Sequence, residues 1–419
     1  MKIDITDLLT LEELEDTSGF LTPEEVGELE KGFEEIISIY QELILRFIKT
    51  YLDEANFKDD YLNPRLRSKL ANKLNRLEEE LEREGLSFFQ AELPNIKRAI
   101  KKANSIKQWS SIIDICNSLI TFYNVRTYWE DLEETLNTAL TAAKNDKNQL
   151  AEARIYNNFA NTFRLLGRAT EGIDYGLNSY NIFCSLKNPE GEAESSYTLG
   201  YLYRSVGNWE ESIKAFKHCL SLFELREDFV GEVGALDGLG QVYTKQGNLD
   251  KAEKVLQDSL RIKEKKIGDR FQISITLNNL GKVYKTKGNL KEAKKLFERS
   301  LEIKQEIEDN QGQGVCYNEL GMTYRLMKDY KQALDYFEKS LDIKKEVSSS
   351  GTGKATDNHG EGLTFMEIGT LYQDRGEYEK ALINWNNALE KLNNYSPEFT
   401  RVTNYIKSLE ARINGAKSY

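Results

Sequence analysis

The residues of this 419-residue chain that could do chemistry are two histidines, four cysteines and one glycine-rich loop, and their spacing argues against catalysis. His218 directly precedes Cys219, but neighbours on a helix point about 100° apart, so they make no base–nucleophile pair. His359 follows Asp357 in a stretch that reads as a loop, where a surface histidine is expected. Cys116, Cys184, Cys219 and Cys316 stand far apart with no C-x-x-C between them, which supports neither a disulfide framework nor a zinc site. The run Ser348-Ser349-Ser350-Gly351-Thr352-Gly353-Lys354-Ala355 looks like a phosphate-binding loop. It lacks the first glycine and the Mg²⁺-coordinating hydroxyl of G-x-x-x-x-G-K-[ST], and it lies outside a strand-to-helix turn. No carboxylate stands in a glycine-rich, strand-end setting. We expect no catalytic residue, no cofactor and no metal site, hence not an enzyme.

The elements that carry these residues are predicted to be helices. Only five prolines occur (Pro23, Pro64, Pro94, Pro189, Pro397), each expected at or near a helix start, where the missing N–H costs nothing. No run of about 18 apolar residues suggests a membrane span. The opening Met1-Lys2-Ile3-Asp4-Ile5-Thr6-Asp7 lacks the pattern of a signal peptide. A soluble, cytoplasmic protein is the expectation. The chain carries 57 basic and 68 acidic side chains, net −11, but residues 1–60 alone hold 17 acidic and 5 basic ones. An acidic head repels nucleic acid, whose binding rewards clustered Lys and Arg. It is either a solvated helix face or a complement to a basic surface on a partner or on this chain.

A repeat of about forty residues fills the second half. Its anchors are Leu199-Gly200-x-x-Tyr203, Leu239-Gly240-x-x-Tyr243, Leu280-Gly281-x-x-Tyr284, Leu320-Gly321-x-x-Tyr324 and Ile368-Gly369-x-x-Tyr372, with Phe159-Ala160-x-x-Phe163 as a weaker member. Successive anchors lie 40, 40, 41, 40 and 48 residues apart. A second glycine follows at Gly167, Gly207, Gly247, Gly288 and Gly376, with Lys328 in its place once. Twelve residues after the anchor comes a small residue (Ser212, Ala252, Ala293, Ala333, Ala381), and four further a large one (Phe216, Leu256, Phe297, Phe337, Trp385). This pattern is a helical hairpin. The anchor glycine lets two helices approach, the second glycine caps the first helix, and the large residue fills the seam. Gly176 occupies that seam position in the first repeat, which is expected to be looser. The extra residues before Ile368 read as a flexible loop. A hairpin cannot cover its apolar face alone, so the copies must stack.

These residues resemble the tetratricopeptide repeat, in a lengthened form similar to the arrays of kinesin light chains, Pins-type adaptors and bacterial signalling proteins. The resemblance implies an all-α fold, a right-handed α-solenoid of stacked helical hairpins preceded by an N-terminal helical bundle. Expected domains are residues 1–87 (acidic helical bundle), 88–146 (helical arm with a degenerate repeat), 147–392 (six repeats) and 393–419 (capping helix). In that fold, positions three before and one or four after the anchor face the concave side. They read Asn117, Asn157, Tyr197, Asp237, Asn278 and Asn318 before it, Asn161 and Lys282 one after, and Arg164, Arg204, Lys285 and Arg325 four after. Asparagine both donates to and accepts from a peptide backbone, while Arg and Lys pair carboxylates. The implied function is an interaction module that holds an extended, acidic segment of another protein in its groove.

Upstream, the stretch from Phe88-Phe89-Gln90 through Trp109 to Tyr128-Trp129-Glu130-Asp131-Leu132 resembles the helical arm of NB-ARC/STAND-type signalling ATPases, without their nucleotide-binding motif. Thr22-Pro23-Glu24-Glu25 is a capping box that should open a helix from about 23 to 54. A second stripe (Leu66, Leu70, Leu74, Leu77, Leu81) should pack against it, or else the two helices form a dimer seam. Ser396-Pro397-Glu398 should begin a final helix over the last hairpin. The rival function is a Rap-type signalling sensor, in which a groove-bound peptide controls the N-terminal bundle. A nucleic-acid-binding solenoid fits the acidic head poorly.

Overall fold

The computed structural model describes residues 23–62, 77–349, 354–392 and 396–416, and every element among them is a helix. The chain divides into two compact units, Met1–Gly191 and Glu192–Tyr419. The first contains α1 (Pro23–Leu62), α2 (Glu78–Ser105), α3 (Trp109–Arg126), α4 (Trp129–Asn145), α5 (Gln149–Leu165) and α6 (Ala169–Ser185), and ends within α7 (Pro189–Ser205). The second continues α7 and adds α8 (Trp209–Leu225), α9 (Phe229–Lys245), α10 (Leu249–Ile262), α11 (Arg270–Thr286) and α12 (Leu290–Glu306). It closes with α13 (Asn310–Leu326), α14 (Tyr330–Ser349), α15 (Lys354–Asp374), α16 (Tyr378–Lys391) and α17 (Pro397–Ala416). Within each unit consecutive helices pair and stack, the arrangement of an α-solenoid. No described helix is long and apolar enough to cross a membrane.

The seam is built as the repeat demands. A Cβ on Gly281 would stand 2.5 Å from Phe297, and one on Gly321 would stand 2.6 Å from Phe337. Both rings are fully buried, each stabilising the hairpin by about 1.5–3 kcal/mol. In the last hairpin Trp385 takes the same seat beside Gly369, and its indole N–H donates to the Met366 carbonyl at 3.2 Å. In the first repeat, where Gly176 takes the seam position, Tyr175 stacks on Phe159 at 4.8 Å.

The turns are equally regular. From Lys107 to Gly247 one residue in the left-handed region recurs every twenty residues, as Lys107, Thr127, Lys147, Gly167, Lys187, Gly207, Glu227 and Gly247. At five of these eight turns the next residue is Asn or Asp, and four of those side chains cap the following helix; Asn148, Asn188 and Asp228 accept from backbone N–H groups at about 3 Å and Asn208 at 3.4 Å. The 41-residue interval is absorbed by one π-helical turn, Lys263–Ile267, after which Gly268 closes the hairpin and the rhythm resumes. The longer interval is not a loop throughout. α14 and α15 are 20 and 21 residues long against 17 for α13 and 14 for α16, so the insertion extends both helices and places His359 inside α15. Extra helical residues satisfy their own backbone groups, which loop residues would have to do otherwise.

In the first unit α1 packs against α2 and α3. It runs to Leu62 rather than 54, because Ala55, Tyr61 and Leu62 continue the apolar stripe and are buried. Tyr61 meets Leu81 of α2, whereas Leu77, just before that helix, is exposed. Leu66, Leu70, Leu74 and Pro64 lie outside the described residues, as do residues 1–22. Pro94 corrects the proline expectation: it sits inside α2. The carbonyl it deprives of a partner is that of Gln90, an exposed residue that water can reach. At the other end α17 covers the last hairpin as expected, with Val402 and Leu409 buried in one cluster with Trp385 and Leu392.

Two outcomes follow from this packing. Gly281→Ala should cost about 1–3 kcal/mol by overpacking, while Lys328→Gly should gain about 1 kcal/mol by relieving a left-handed non-glycine residue (φ 64°); denaturant midpoints check both. Burial lifts the Asp59 carboxyl to about 6 from its usual 3.8, with Thr121's hydrogen bond opposing and Asp60 reinforcing the rise. The folded chain therefore holds that proton more tightly than the unfolded one, and stability falls as pH rises from about 4 to about 6. Asp59→Asn should raise Tm by about 2–4 °C near pH 7 and by almost nothing below about pH 4, measured by thermal melts across pH.

Candidate peptide-binding groove

The expected groove positions fall on the first helix of each hairpin. In the first unit Asn117 lies on α3, and Asn157, Asn161 and Arg164 lie on α5, all half-buried. Arg164 donates through Nε and Nη2 to Asn161 Oδ1 at 2.9 and 2.8 Å, so these two form one rigid rung. Asn157 Oδ1 is buried with no hydrogen-bond partner, and Asn124 Oδ1 on α3 is in the same state.

The second unit carries Tyr197 and Arg204 on α7, Asn278, Lys282 and Lys285 on α11, and Asn318 and Arg325 on α13. Arg204 Nη1 donates to Gln241 Oε1 of α9, and its guanidinium lies 4.9 Å from the Tyr201 ring centre. Asn278 is 8% exposed, and both its Oδ1 and that of Asn318 are buried without a partner. Groups of this kind cost free energy until something bonds them.

Asp237 is placed differently from the rest. Its carboxylate accepts from Lys263 Nζ at 2.5 Å and from Ser259 Oγ at 2.7 Å, inside the seam between α9, the π turn and α11. Lys263 is fully buried and also donates to Thr276 Oγ1 at 2.7 Å. This is an internal ion pair, not a groove contact. Its signal was Ser-x-x-x-Lys, which recurs at Ser259/Lys263, Ser300/Lys304 and Ser340/Lys344, with all six residues buried.

The track is also less basic than its own positions suggest. Lys285 Nζ stands 2.6 Å from Glu319 Oε2, and Lys282 Nζ 3.5 Å from Glu319 Oε1. Arg325 bridges Asp374 at 2.7 Å and Glu367 at 3.5 Å. Burial raises the Glu367 pKa, and the charges of Arg325 and Lys285 pull it back in part. Glu319 and Glu367 occupy the position two before the anchor, a phase the sequence reading left unused. A cavity of about 670 Å³ opens among α7, α9 and α11, lined by Arg204, Gln241, Lys245, Asn279 and Lys282 with Trp209 and Leu256. Of these, Gln241, Lys245 and Asn279 were not foreseen.

Neither histidine nor cysteine joins a reactive cluster. Burial pushes the Cys219 thiol up to about 12, and its Sγ donates to the Phe216 carbonyl; such a thiol is inert. No group of three metal-binding side chains occurs among the described residues.

The tetratricopeptide-repeat family model matches residues 152–225, 191–265 and 272–346. Residues 152–265 and 272–346 are tetratricopeptide repeats. The repeat array resembles several solved structures. The apo quorum sensor NprR of B. thuringiensis shares 16% identity over 84% of this chain and 100% of its own, with a TM-score of 0.55. Aspartyl phosphate phosphatase F of Bacillus subtilis shares 11% over 84% of this chain and 95% of its own, with a TM-score of 0.54. A STAND signal-transduction ATPase with a tetratricopeptide-repeat sensor, from Pyrococcus horikoshii, shares 16% over 87% of this chain (TM-score 0.54), which spans 55% of that protein. At these identities the likeness is one of fold. No curated protein matches the chain.

The two kinds of polar residue in the repeats should separate on mutation. Asp237→Ala strands Lys263 in the seam and should cost about 3–5 kcal/mol. Asn318→Ala removes an unpartnered acceptor and should change stability by less than about 1 kcal/mol. Urea midpoints of the two variants test this assignment.

Proposed function

We propose that this protein is an interaction scaffold that holds an extended segment of a partner protein along the first helices of its repeats. The observation that carries the reading is the row of asparagines at one phase, Asn157 in the first unit and Asn278 and Asn318 in the second, each with a buried, unpartnered side-chain oxygen. An extended peptide offers backbone N–H groups to such acceptors whatever its sequence, and preformed helices reduce the entropy cost of holding it. Acidic side chains of the segment meet Arg204, Lys245 and Lys282; further along, Lys285 and Arg325 already face Glu319, Glu367 and Asp374, so acidity is read locally and not along the whole groove. On this reading the first helices of the second unit, α7 to α13, hold the segment.

A second reading, a Rap-type regulated sensor, draws on the 40-residue α1 packed on α2 and α3 and on the fold shared with a quorum sensor and a phosphatase. It differs in requiring the bound segment to alter amide exchange in α1 and α2.

The test uses a segment selected from a displayed random peptide library on the intact chain. Asn278→Ala with Asn318→Ala should weaken its binding by about 1–3 kcal/mol while leaving Tm nearly unchanged. Unaltered affinity in isothermal titration would reject the asparagine row as the grip.

A further inference from the structure

The cavity among α7, α9 and α11 has a composition the backbone-gripping row does not explain. Arg204, Lys245 and Lys282 reach it from three successive repeats, and none of the described residues lining it is a carboxylate. Lys282 stands 3.5 Å from Glu319 of α13. Arg204 is held in place by Gln241 and the Tyr201 ring. Asn279 adds a buried Nδ2 that has no acceptor. Trp209 and Leu256 supply an apolar wall, and a volume of about 670 Å³ exceeds what one carboxylate side chain fills.

The ligand that fits must supply acceptors in several directions and more than one negative charge. A carboxylate presents two coplanar oxygens, a geometry that one guanidinium fork satisfies by itself. Three cations on three helices, together with an amide donor, instead match the three terminal oxygens and nearly double charge of a phosphoryl group. We propose that this cavity is a phosphoryl subsite, which reads a phosphorylated serine or threonine of the segment bound along the groove. The inference rests on the groove reading, and adds to it the chemical class of one ligand side chain. The apolar wall of Trp209 and Leu256 would take the carbon body of that residue.

Isothermal titration of the intact chain at low and physiological salt tests it, with four probes. These are a Gly/Ala peptide of about nine residues with a central phosphoserine, the same peptide with serine, the same with Asp-Asp, and inorganic phosphate. The phosphopeptide should bind at least about tenfold more tightly than the serine and Asp-Asp peptides, by more at low salt. Lys245→Gln with Lys282→Gln should erase that preference without a change in Tm, whereas Lys331→Gln, an exposed lysine outside the cavity, should leave it. Equal binding of the three peptides, preference for Asp-Asp, or preference that survives the double substitution overturns the proposal. Free phosphate binding as tightly as the phosphopeptide upholds the phosphoryl chemistry and overturns the peptide as its carrier. A selected segment that loses affinity in Asn278→Ala/Asn318→Ala but not in Lys245→Gln/Lys282→Gln keeps the groove and rejects the subsite. Binding of neither peptide nor phosphate overturns the subsite, and the selected segment then decides the groove reading separately.

Discussion

A large side chain seated where a Cβ is missing sets the geometry of the repeats. Phe216 against Gly200, Leu256 against Gly240, Phe297 against Gly281, Phe337 against Gly321 and Trp385 against Gly369 all repeat this contact. It brings the two helices of a hairpin together and also fixes the rotation of the first helix about its axis. Once that rotation is fixed, the positions three before and one and four after the glycine share one side of the first helix. The common phase of Asn157, Asn278 and Asn318 is therefore set by the anchor row, while Asp237 at the same phase is drawn inward by Lys263.

A second constraint sets the spacing. Each turn from Lys107 to Lys328 has one left-handed residue, and the twenty-residue interval between such residues holds until the π turn at Lys263–Ile267 inserts one extra position. The insertion lies where Lys263 is drawn inward to Asp237. A single additional residue in an α-helix otherwise rotates everything beyond it by about 100°. The π turn confines that shift to one turn, so that Gly281 and the groove residues of α11 return to phase.

The forty-residue repeat and the seam residues were legible in the sequence, because glycine and aromatic side chains recur there without ambiguity. The twenty-residue half-period was not. Lys107, Thr127, Lys147, Lys187, Glu227 and Glu308 adopt the left-handed conformation without a glycine to announce it, and the Asx cap beside most of them is the subtler sign. Residue type alone also misjudged Asp237, whose partner lies on the following helix. It judged Lys285 and Arg325 without Glu319 and Glu367, since ion pairs between repeats lie about forty residues apart in the chain. Pro94 inside α2 and the extended α14 and α15 were missed for a related reason: tertiary packing overrides local preference where enough apolar surface is covered.

Charge in the repeats is consequently local. No carboxylate is among the described residues lining the cavity of α7, α9 and α11, whereas Lys285 and Arg325 one repeat further on are paired with Glu319 and Asp374. A segment lying across both regions would be read in register, by its backbone throughout and by its side chains only at the cavity. The account's central claim is that ligands lie on the first helices of the hairpins. Cross-linking mass spectrometry of the intact chain with a library-selected segment measures this directly. The account predicts cross-links to the lysines of α9 and α11, namely Lys245, Lys282 and Lys285. Cross-links confined to the second helices of the hairpins, or to α1 and α2, would contradict it.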